Sequence, residues 1–382
     1  LFHCLKSTFA LTGRRIVLLG IGHTNADFVR RWIDHPLPDV ELVCVSKFDQ
    51  ATYSGMLPGT LGGQFRPDQM QIDLHRLVDD AGGRLITDNV VAMDATAKEL
   101  QLDGGDRLRF DVLSIGVGSI PAGCENYTDV SGFVPIKPMQ TFLSRLHQAL
   151  DLDRAARTPS IAIVGGGVAS VEIAFCLDQW LRLRSSQSSA QLQIFCADQH
   201  VASGMSCQSV KRLEALLANR GISVVPNARV TDVQTGKVVV NDENSFGADI
   251  VVWATGAAPP HVIRSLGLPT DSRGFIATQK TLQSTGDPAV FGVGDCGTVV
   301  DSPHPKAGVY AVRQSPVLWH NIRAFLGGHT LKEFRPQSDF LKLLNTGDGK
   351  ALLEYHRWTI HSRWCLWLKN RIDRSFIREF QR

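Results

Sequence analysis

No run of apolar residues in this chain reaches the roughly 20 that a bilayer-spanning helix requires, so a transmembrane helix is not expected. There is no excess of either charge. Forty Lys and Arg stand against 37 Asp and Glu, a net +3 over 382 residues, which removes any general electrostatic demand for nucleic acid. Cysteine pairing is missing too: the eight cysteines (Cys4, Cys44, Cys124, Cys176, Cys196, Cys207, Cys296 and Cys365) lie far apart with no C-x-x-C, as in a reduced, cytoplasmic chain. Cys44, Cys176 and Cys196 sit inside apolar runs and are expected to be buried as small hydrophobes. No signal peptide is read in Leu1 to Leu11, and because the chain opens on Leu1 rather than Met it reads as trimmed or as a piece of a longer protein.

What is present is an ordinary globular composition, 43% hydrophobic and 20% charged, in a chain long enough for two or three domains. Its main organising fact is a repeated grammar. Ile16 to Leu19 is a β-branched apolar run that breaks at Gly20-Ile21-Gly22 and resumes with helical spacing through Ala26, Phe28, Val29 and Trp32. Ile161 to Val164 does the same at Gly165-Gly166-Gly167, then Val168, Ile173, Ala174, Phe175 and Leu177. A second strand follows each, at Val40 to Val45 and at Leu192 to Cys196, which completes β-α-β and predicts parallel sheets. Each unit is closed by a buried strand ending in glycine, at Phe110 to Gly118 and at Ala248 to Gly256. The polar run Arg184 to Ala190 reads as a surface loop.

A glycine turn between strand and helix suits a dinucleotide, because the chain turns tightly, the pyrophosphate approaches the backbone, and the helix N-terminus offers free N-H groups. Gly20 and Gly22, and Gly165 and Gly167, occupy the first two fingerprint positions. The third holds Asn25 in one unit and Ser170 in the other, which a slightly wider helix-to-strand contact would accommodate. Where a ribose-binding acid is expected, the first unit has Ser46 and Lys47, and the second has Asp198. Asp198 has two readings, a ribose ligand favouring NADH or a surface aspartate.

The sharpest motif is Ala289 to Cys296, a strand running into Gly294-Asp295. Here the chain resembles the two-dinucleotide-binding-domain flavoproteins, the pyridine nucleotide-disulfide oxidoreductase superfamily. That resemblance implies an α/β fold of two nested Rossmann-like domains binding FAD and NADH or NADPH, with a small α+β C-terminal domain. It gives Asp295 a ribityl hydroxyl of FAD to hold, and it aims the helix after Pro305-Lys306-Ala307-Gly308-Val309 at the flavin pyrimidine, where an N-terminal dipole favours growing negative charge. Lys306 either adds to this charge or is a solvated first-turn residue.

A closer resemblance, to NADH dehydrogenase-like flavoproteins sometimes fused to selenophosphate synthetase, rests on Tyr53 to Gly59, Ile72 to Leu74, Gly118 to Pro121, Leu344 to Gly349 and Lys369 to Arg374. It implies that Ser54, Gly55 and Met56 lie near the flavin. Candidate FAD contacts are completed by His23, Thr24, Val91, Gly118, Gly294, Ala307 and Val309, and candidate NAD(P)H contacts by Val168 and Gly256. Glu172 resembles a superfamily glutamate near the nicotinamide, or is a first-turn acid complementing its helix dipole. The C-x-x-x-x-C pair of a disulfide reductase is absent. The implied cycle therefore takes hydride from NAD(P)H and passes electrons to a diffusible acceptor such as a quinone.

The implied domains are 12–121 with 267–328 for FAD, 122–266 for NAD(P)H and 329–382 at the C-terminus. In the last, Phe340 to Tyr355 reads as a hairpin and Trp364 to Phe380 as a helix with a Trp and Phe stripe. Docking of that stripe on the hairpin competes with peripheral contact of the basic helix with a membrane. A homodimer and a small electron acceptor are the other partners expected. Two alternatives stand: a sulfide:quinone oxidoreductase, for which Cys124 and Cys296 are the candidate sulfur carriers, and an NADH-gated interaction protein resembling apoptosis-inducing factor.

Overall fold

The structure, a computed structural model, describes residues 13–152, 159–184 and 191–381. The expected loop at Arg184 to Ala190 lies outside them beyond its first residue. Two five-stranded parallel sheets dominate. The first runs, edge to edge, Val290–Gly292, Val112–Ile115, Arg14–Leu19, Val40–Ser46 and Arg84–Thr87. The second runs Phe133–Pro135, Ile250–Trp253, Ser160–Val164, Gln191–Phe195 and Ser223–Val225. In both, the glycine-turn strand sits between the closing strand and the second strand of its β-α-β unit. The edge strand beyond the closing strand is drawn from opposite directions: in the first sheet it comes after the whole second unit, and in the second sheet it comes before it. Nesting follows from that one difference.

The centres of these strands are apolar because both faces are covered there, as parallel sheets require. Ile16, Val17, Leu18, Val43, Cys44, Val112, Leu113, Ile163 and Val252 are all fully buried. The helix His23–Asp34 turns Phe28, Val29 and Trp32 inward and stops at His35, whose conformation is limited by Pro36. Each sheet carries an antiparallel three-stranded meander, Val90–Asp94 to Arg107–Arg109 in one and Val230–Gln234 to Asn244–Gly247 in the other. The long helix Gly308–Gly327 packs alongside His23–Asp34 and ends at Gly328, whose positive φ of 68° lets its N-H reach back to the last carbonyls.

At the C-terminus the expected hairpin is present as Lys342–Asn345 and Ala351–Tyr355, with a third strand, Trp358–Ser362, beside it. The helix Arg363–Arg378 follows, capped by Ser362 accepting from the Cys365 N-H. Only part of the expected aromatic stripe docks: Leu368 packs against the hairpin, Phe376 stacks on Tyr53 and Phe380 is buried, whereas the two tryptophans and Ile372 face outward. The helix buries Cys365, Leu366, Lys369, Asp373 and Ile377, and leaves Trp364 and Trp367 each 56% exposed and Ile372 43% exposed. Three- and four-residue spacing runs through two faces of this helix, and the inward one is the face with a buried ion pair.

Cys44, Cys176 and Cys196 are buried as expected, and so are Cys124, Cys296 and Cys365. Among the described residues no helix is long and apolar enough to cross a membrane, and no group of His, Cys, Asp and Glu could hold a metal ion.

Candidate functional site

Both glycine turns are places where a side chain could not stand. Gly20 has φ of 77°, and a Cβ there would lie 2.7 Å from the Val117 Cα. Gly165 has φ of 129°, and its Cβ would lie 2.2 Å from the Ala254 carbonyl oxygen. The departures at the third fingerprint position have a physical role. Asn25 is fully buried; its amide donates to the Gly20 carbonyl at 2.8 Å and accepts from the Ser114 hydroxyl at 2.7 Å. Ser170, equally buried, donates to the Ala254 carbonyl at 3.2 Å. A hydrogen bond to the closing strand thus replaces the close contact that a third glycine would permit.

At the first turn, the helix His23–Asp34 begins on Gly22 with no side-chain cap and no acid in its first turn. Its leading N-H groups are unclaimed by side chains, which suits a pyrophosphate. Asp295 closes this region. Its Oδ2 accepts from Ser119 Oγ at 2.8 Å and from Lys137 Nζ at 2.9 Å, and Lys137 also donates to Ser119 at 2.6 Å. Burial opposes ionisation of Asp295, but the Lys137 charge and the hydrogen bonds from Lys137 and Ser119 outweigh it and hold the carboxyl below its usual range. The result is an ionised acceptor beside Gly118, whose positive φ of 75° leaves open space where a Cβ would be. Gly294 is held by its N-H donating to Gln314 Oε1 at 2.6 Å, and Thr24 donates to the Ala311 carbonyl at 2.8 Å, so the long helix is pinned to the turn. These residues fit a dinucleotide with a polyol segment, by the unclaimed amides, the left-handed glycines and the ionised acceptor.

His23 faces the turn at 53–56. Its Nε2 lies 3.4 Å from Ser54 Oγ, and its ring meets those of Tyr53 at 5.5 Å and Phe376 at 5.8 Å. Burial pushes its pKa down to about 4, with Asp295 pulling up and Lys137 adding to the fall. The Tyr53 hydroxyl donates to Asp373 Oδ1 at 3.1 Å, and Lys369 Nζ donates to the Gly55 carbonyl at 2.8 Å and to Asp373 Oδ2 at 3.0 Å. The C-terminal helix therefore fixes the backbone that holds Ser54, Gly55 and Met56, the last only 1% exposed.

Other expected residues are placed differently. The helix dipole does not account for Glu172: its Oε1 accepts from the Asn345 N-H at 2.8 Å and lies 3.8 Å from Lys369 Nζ. Burial raises its pKa, against Lys369 and the Asn345 bond. Lys306 is neither a first-turn residue nor solvated, since it precedes the helix and donates to the Gly297 carbonyl at 2.5 Å and to Thr298 Oγ1 at 2.8 Å. Ala307 is the N-cap of that helix without a side-chain cap, and Val309 lies in its first turn. The Ser46 hydroxyl is used within its own turn, donating to the Phe48 carbonyl at 2.8 Å; Lys47 is exposed, and Val91 is 39% exposed.

In the second unit Gly167 and Gly256 have nothing within 4 Å of an added Cβ. Asp198 is exposed and accepts from Ser203 Oγ at 3.0 Å. At the end of Gln191–Phe195 stands Cys196, whose sulfur is 2.1 Å from where a Cβ on Gly166 would be.

Neither candidate sulfur carrier is activated. Burial raises the thiols of Cys124 and Cys296 to about 11 each, and Cys296 donates to the Ile115 and Val293 carbonyls at 3.1 Å. Sequence reasoning missed Lys137, Asn25 as a hydrogen-bonding residue, and the pair Lys369 and Asp373. The phrase Lys369 to Arg374 carried part of that signal without saying what it touches.

A family model described as pyridine nucleotide-disulphide oxidoreductase matches residues 15–321. Among curated proteins, the NADH dehydrogenase-like protein YutJ of Bacillus subtilis is 24% identical over 345 residues, 88% of this chain and 91% of its own. Demethylphylloquinone reductase NdbB of Synechocystis is 25% identical over 356 residues, covering 87% and 85%. Among solved structures, NDH2 of Plasmodium falciparum in complex with NADH superposes with a TM-score of 0.81 at 13% identity, over 96% of this chain and 97% of that one. The sulfide:quinone oxidoreductase of Aquifex aeolicus gives 0.79 at 17% identity, over 96% and 91%.

Proposed function

Since the chain belongs to the pyridine nucleotide-disulphide oxidoreductase family, we propose that it is an FAD-dependent NAD(P)H oxidoreductase that delivers electrons to a diffusible quinone without a redox-active disulfide. The observation that carries this is the ionised Asp295, set between Gly118 and Lys137 at the mouth of an uncapped glycine turn, with no activated thiol beside it. YutJ and NdbB, alike in length and named as a dehydrogenase and a quinone reductase, support the same reading.

Bound there, FAD would supply two-electron exchange between a nicotinamide and a quinone. The chain's own residues position and tune. The amides at Gly22 to Thr24 would hold the pyrophosphate, and Asp295 would accept from a ribityl hydroxyl. The uncapped start of Gly308–Gly327 favours negative charge at the pyrimidine edge. Glu172, Lys369 and Asp373 bring two carboxyls to one buried ammonium, and burial raises both acids despite Lys369. That surplus acid lets the trio hold a proton near the Gly55 carbonyl. The second glycine turn, open at Gly167 and Gly256, receives NAD(P)H.

The chain is also read as cytoplasmic and peripheral to a membrane. Trp364, Trp367 and Ile372 stand exposed on a helix that carries Arg363, Arg371, Arg374 and Arg378, a pattern suited to an anionic interface. The deciding experiment is anaerobic titration of the FAD-loaded protein with NADH and NADPH, followed by a quinone screen. Rapid flavin bleaching and recovery on quinone addition is the expected result. Protein purified with FAD supplied yet free of flavin would end the proposal, and a long-lived reduced form indifferent to quinones would move it to the interaction-protein class.

A further inference from the structure

A groove of about 510 Å³ runs along the first glycine-turn helix from its first residue, His23, to Arg31, between that helix, Gly308–Gly327 and the C-terminal helix. Its inner end is His23 and Phe376, which meet the turn at 53–56. Its walls are apolar, from Val312, Pro316, Val317 and Phe334. Asp27 and Arg31 lie one and two helical turns beyond His23, so the groove flanks the dinucleotide turn rather than filling it.

The charge on this groove is unbalanced. Four arginines line it, Arg30, Arg31, Arg313 and Arg335, against the two carboxylates Asp27 and Glu379. Arg30 and Arg31 are committed to Asp27 at 2.6 and 2.7 Å, and Arg30 also meets Glu379 at 3.4 Å. Arg335, largely exposed, lies 3.5 Å from Glu333. Arg313 has no acid partner among the described residues, and it lines the groove with Val312 and Pro316. Phe376 and the valines offer an apolar surface to an aromatic body, and the Arg313 guanidinium offers a charge partner to an anionic group on it.

We propose that this groove is the acceptor site and that it selects a quinone carrying an anionic substituent, with Arg313 as its charge partner. This rests on the quinone-reductase reading above and narrows it to a substrate class. The net reaction is unchanged, NAD(P)H, one proton and the quinone giving NAD(P)+ and the hydroquinone; the groove decides which quinone enters.

Two measurements on the FAD-loaded protein test it. Calorimetric binding of naphthalene-2-sulfonate, which undergoes no reduction, is expected to weaken about tenfold in Arg313→Ala and to recover in part in Arg313→Lys, while binding of uncharged 2-naphthol changes less than about twofold. In steady state, Arg313→Ala is expected to raise the KM for 1,4-naphthoquinone-2-sulfonate by a similar factor at unchanged kcat, leaving menadione unaffected, and added salt should mimic the substitution. Equal sulfonate binding by wild type and Arg313→Ala, equal losses for both probes, or inorganic phosphate competing as tightly as the aromatic sulfonate would each overturn the proposal. Arg313-dependent binding without reduction of any quinone would instead overturn the acceptor reading. Normal menadione reduction with Arg313-independent binding would spare that reading and overturn only the proposed selectivity.

Discussion

The two glycine turns share a strand order and a hydrogen-bonded staple, yet their surroundings differ. Around Gly20, four distant segments converge. Asp295 is tied to Ser119 and Lys137, His23 meets Ser54, and Lys369 holds Gly55 from the far end of the chain. Around the second turn, Ala254 and Cys196 back the strand side, but Gly167 and Gly256 face open space, and Asp198 bonds a neighbour within its own loop. A site that keeps its ligand through many turnovers gains from being closed on several sides, whereas one that exchanges its ligand each cycle must stay open. The contrast supports FAD as resident at the first turn and NAD(P)H as visitor at the second.

The largest expected break comes from alanine at each turn. Gly20→Ala should strip FAD from the purified protein, because the new Cβ meets backbone at 2.7 Å in a left-handed conformation. Gly165→Ala, with 2.2 Å to the Ala254 oxygen, should keep its flavin but lose reduction by NADH at least a hundredfold; flavin content and stopped-flow bleaching read the two separately. A Gly165→Ala protein that sheds FAD would erase the distinction between resident and visitor.

Next in size, Asp295→Leu leaves the Lys137 ammonium partly buried without its counter-ion. FAD affinity should fall by about 2 to 4 kcal/mol, measured by apoprotein titration, and Lys137→Met in the same background should restore part of it. Apart from this coupling, Lys137 would be a surface lysine.

A smaller effect is pH-linked. Because burial lowers the His23 pKa from 6.5 to about 4, neither state binds the proton above pH 6.5 and this residue adds no pH dependence there. Between 6.5 and about 4 the unfolded chain takes up a proton that the folded chain refuses, so stability falls as pH falls, by about 3 kcal/mol at most, and levels off below. His23→Gln should flatten that limb of a urea-melt series run from pH 7 to 4.

The smallest concerns the C-terminal helix. Replacing both Trp364 and Trp367 by Ser should shift stability by no more than about 0.5 kcal/mol, since both are largely exposed, yet should abolish flotation with anionic liposomes. Unchanged flotation would remove the membrane from the reading.

The two β-α-β units, their closing strands and the terminal hairpin were legible because each is written in local periodicity and glycine punctuation. What could not be read was contact between distant segments. Lys137 and Asp295 are 158 positions apart, and nothing in Pro135-Ile136-Lys137-Pro138 announces a counter-ion. Lys369 and Asp373 look like solvated helix charges until Glu172 and Tyr53 are brought against them from two other parts of the chain. The same blindness hid which half of the aromatic stripe docks: Leu368, Phe376 and Phe380 do, and Trp364, Trp367 and Ile372 do not. Apolar spacing reports that a helix is amphipathic, but not that a buried ion pair can claim the inner side.

The order of strands in the first sheet carries a consequence for biosynthesis. Its edge strand, Val290–Gly292, and the carboxylate just beyond it leave the ribosome only after the entire second unit has been made. The second unit can complete its own sheet while translation continues, but the first must wait, half built, for residues near 295. On the proposed assignment, capture of the resident cofactor is a late event on the nascent chain, and a message truncated before that point is expected to yield a protein able to fold its visitor's site and unable to retain its flavin.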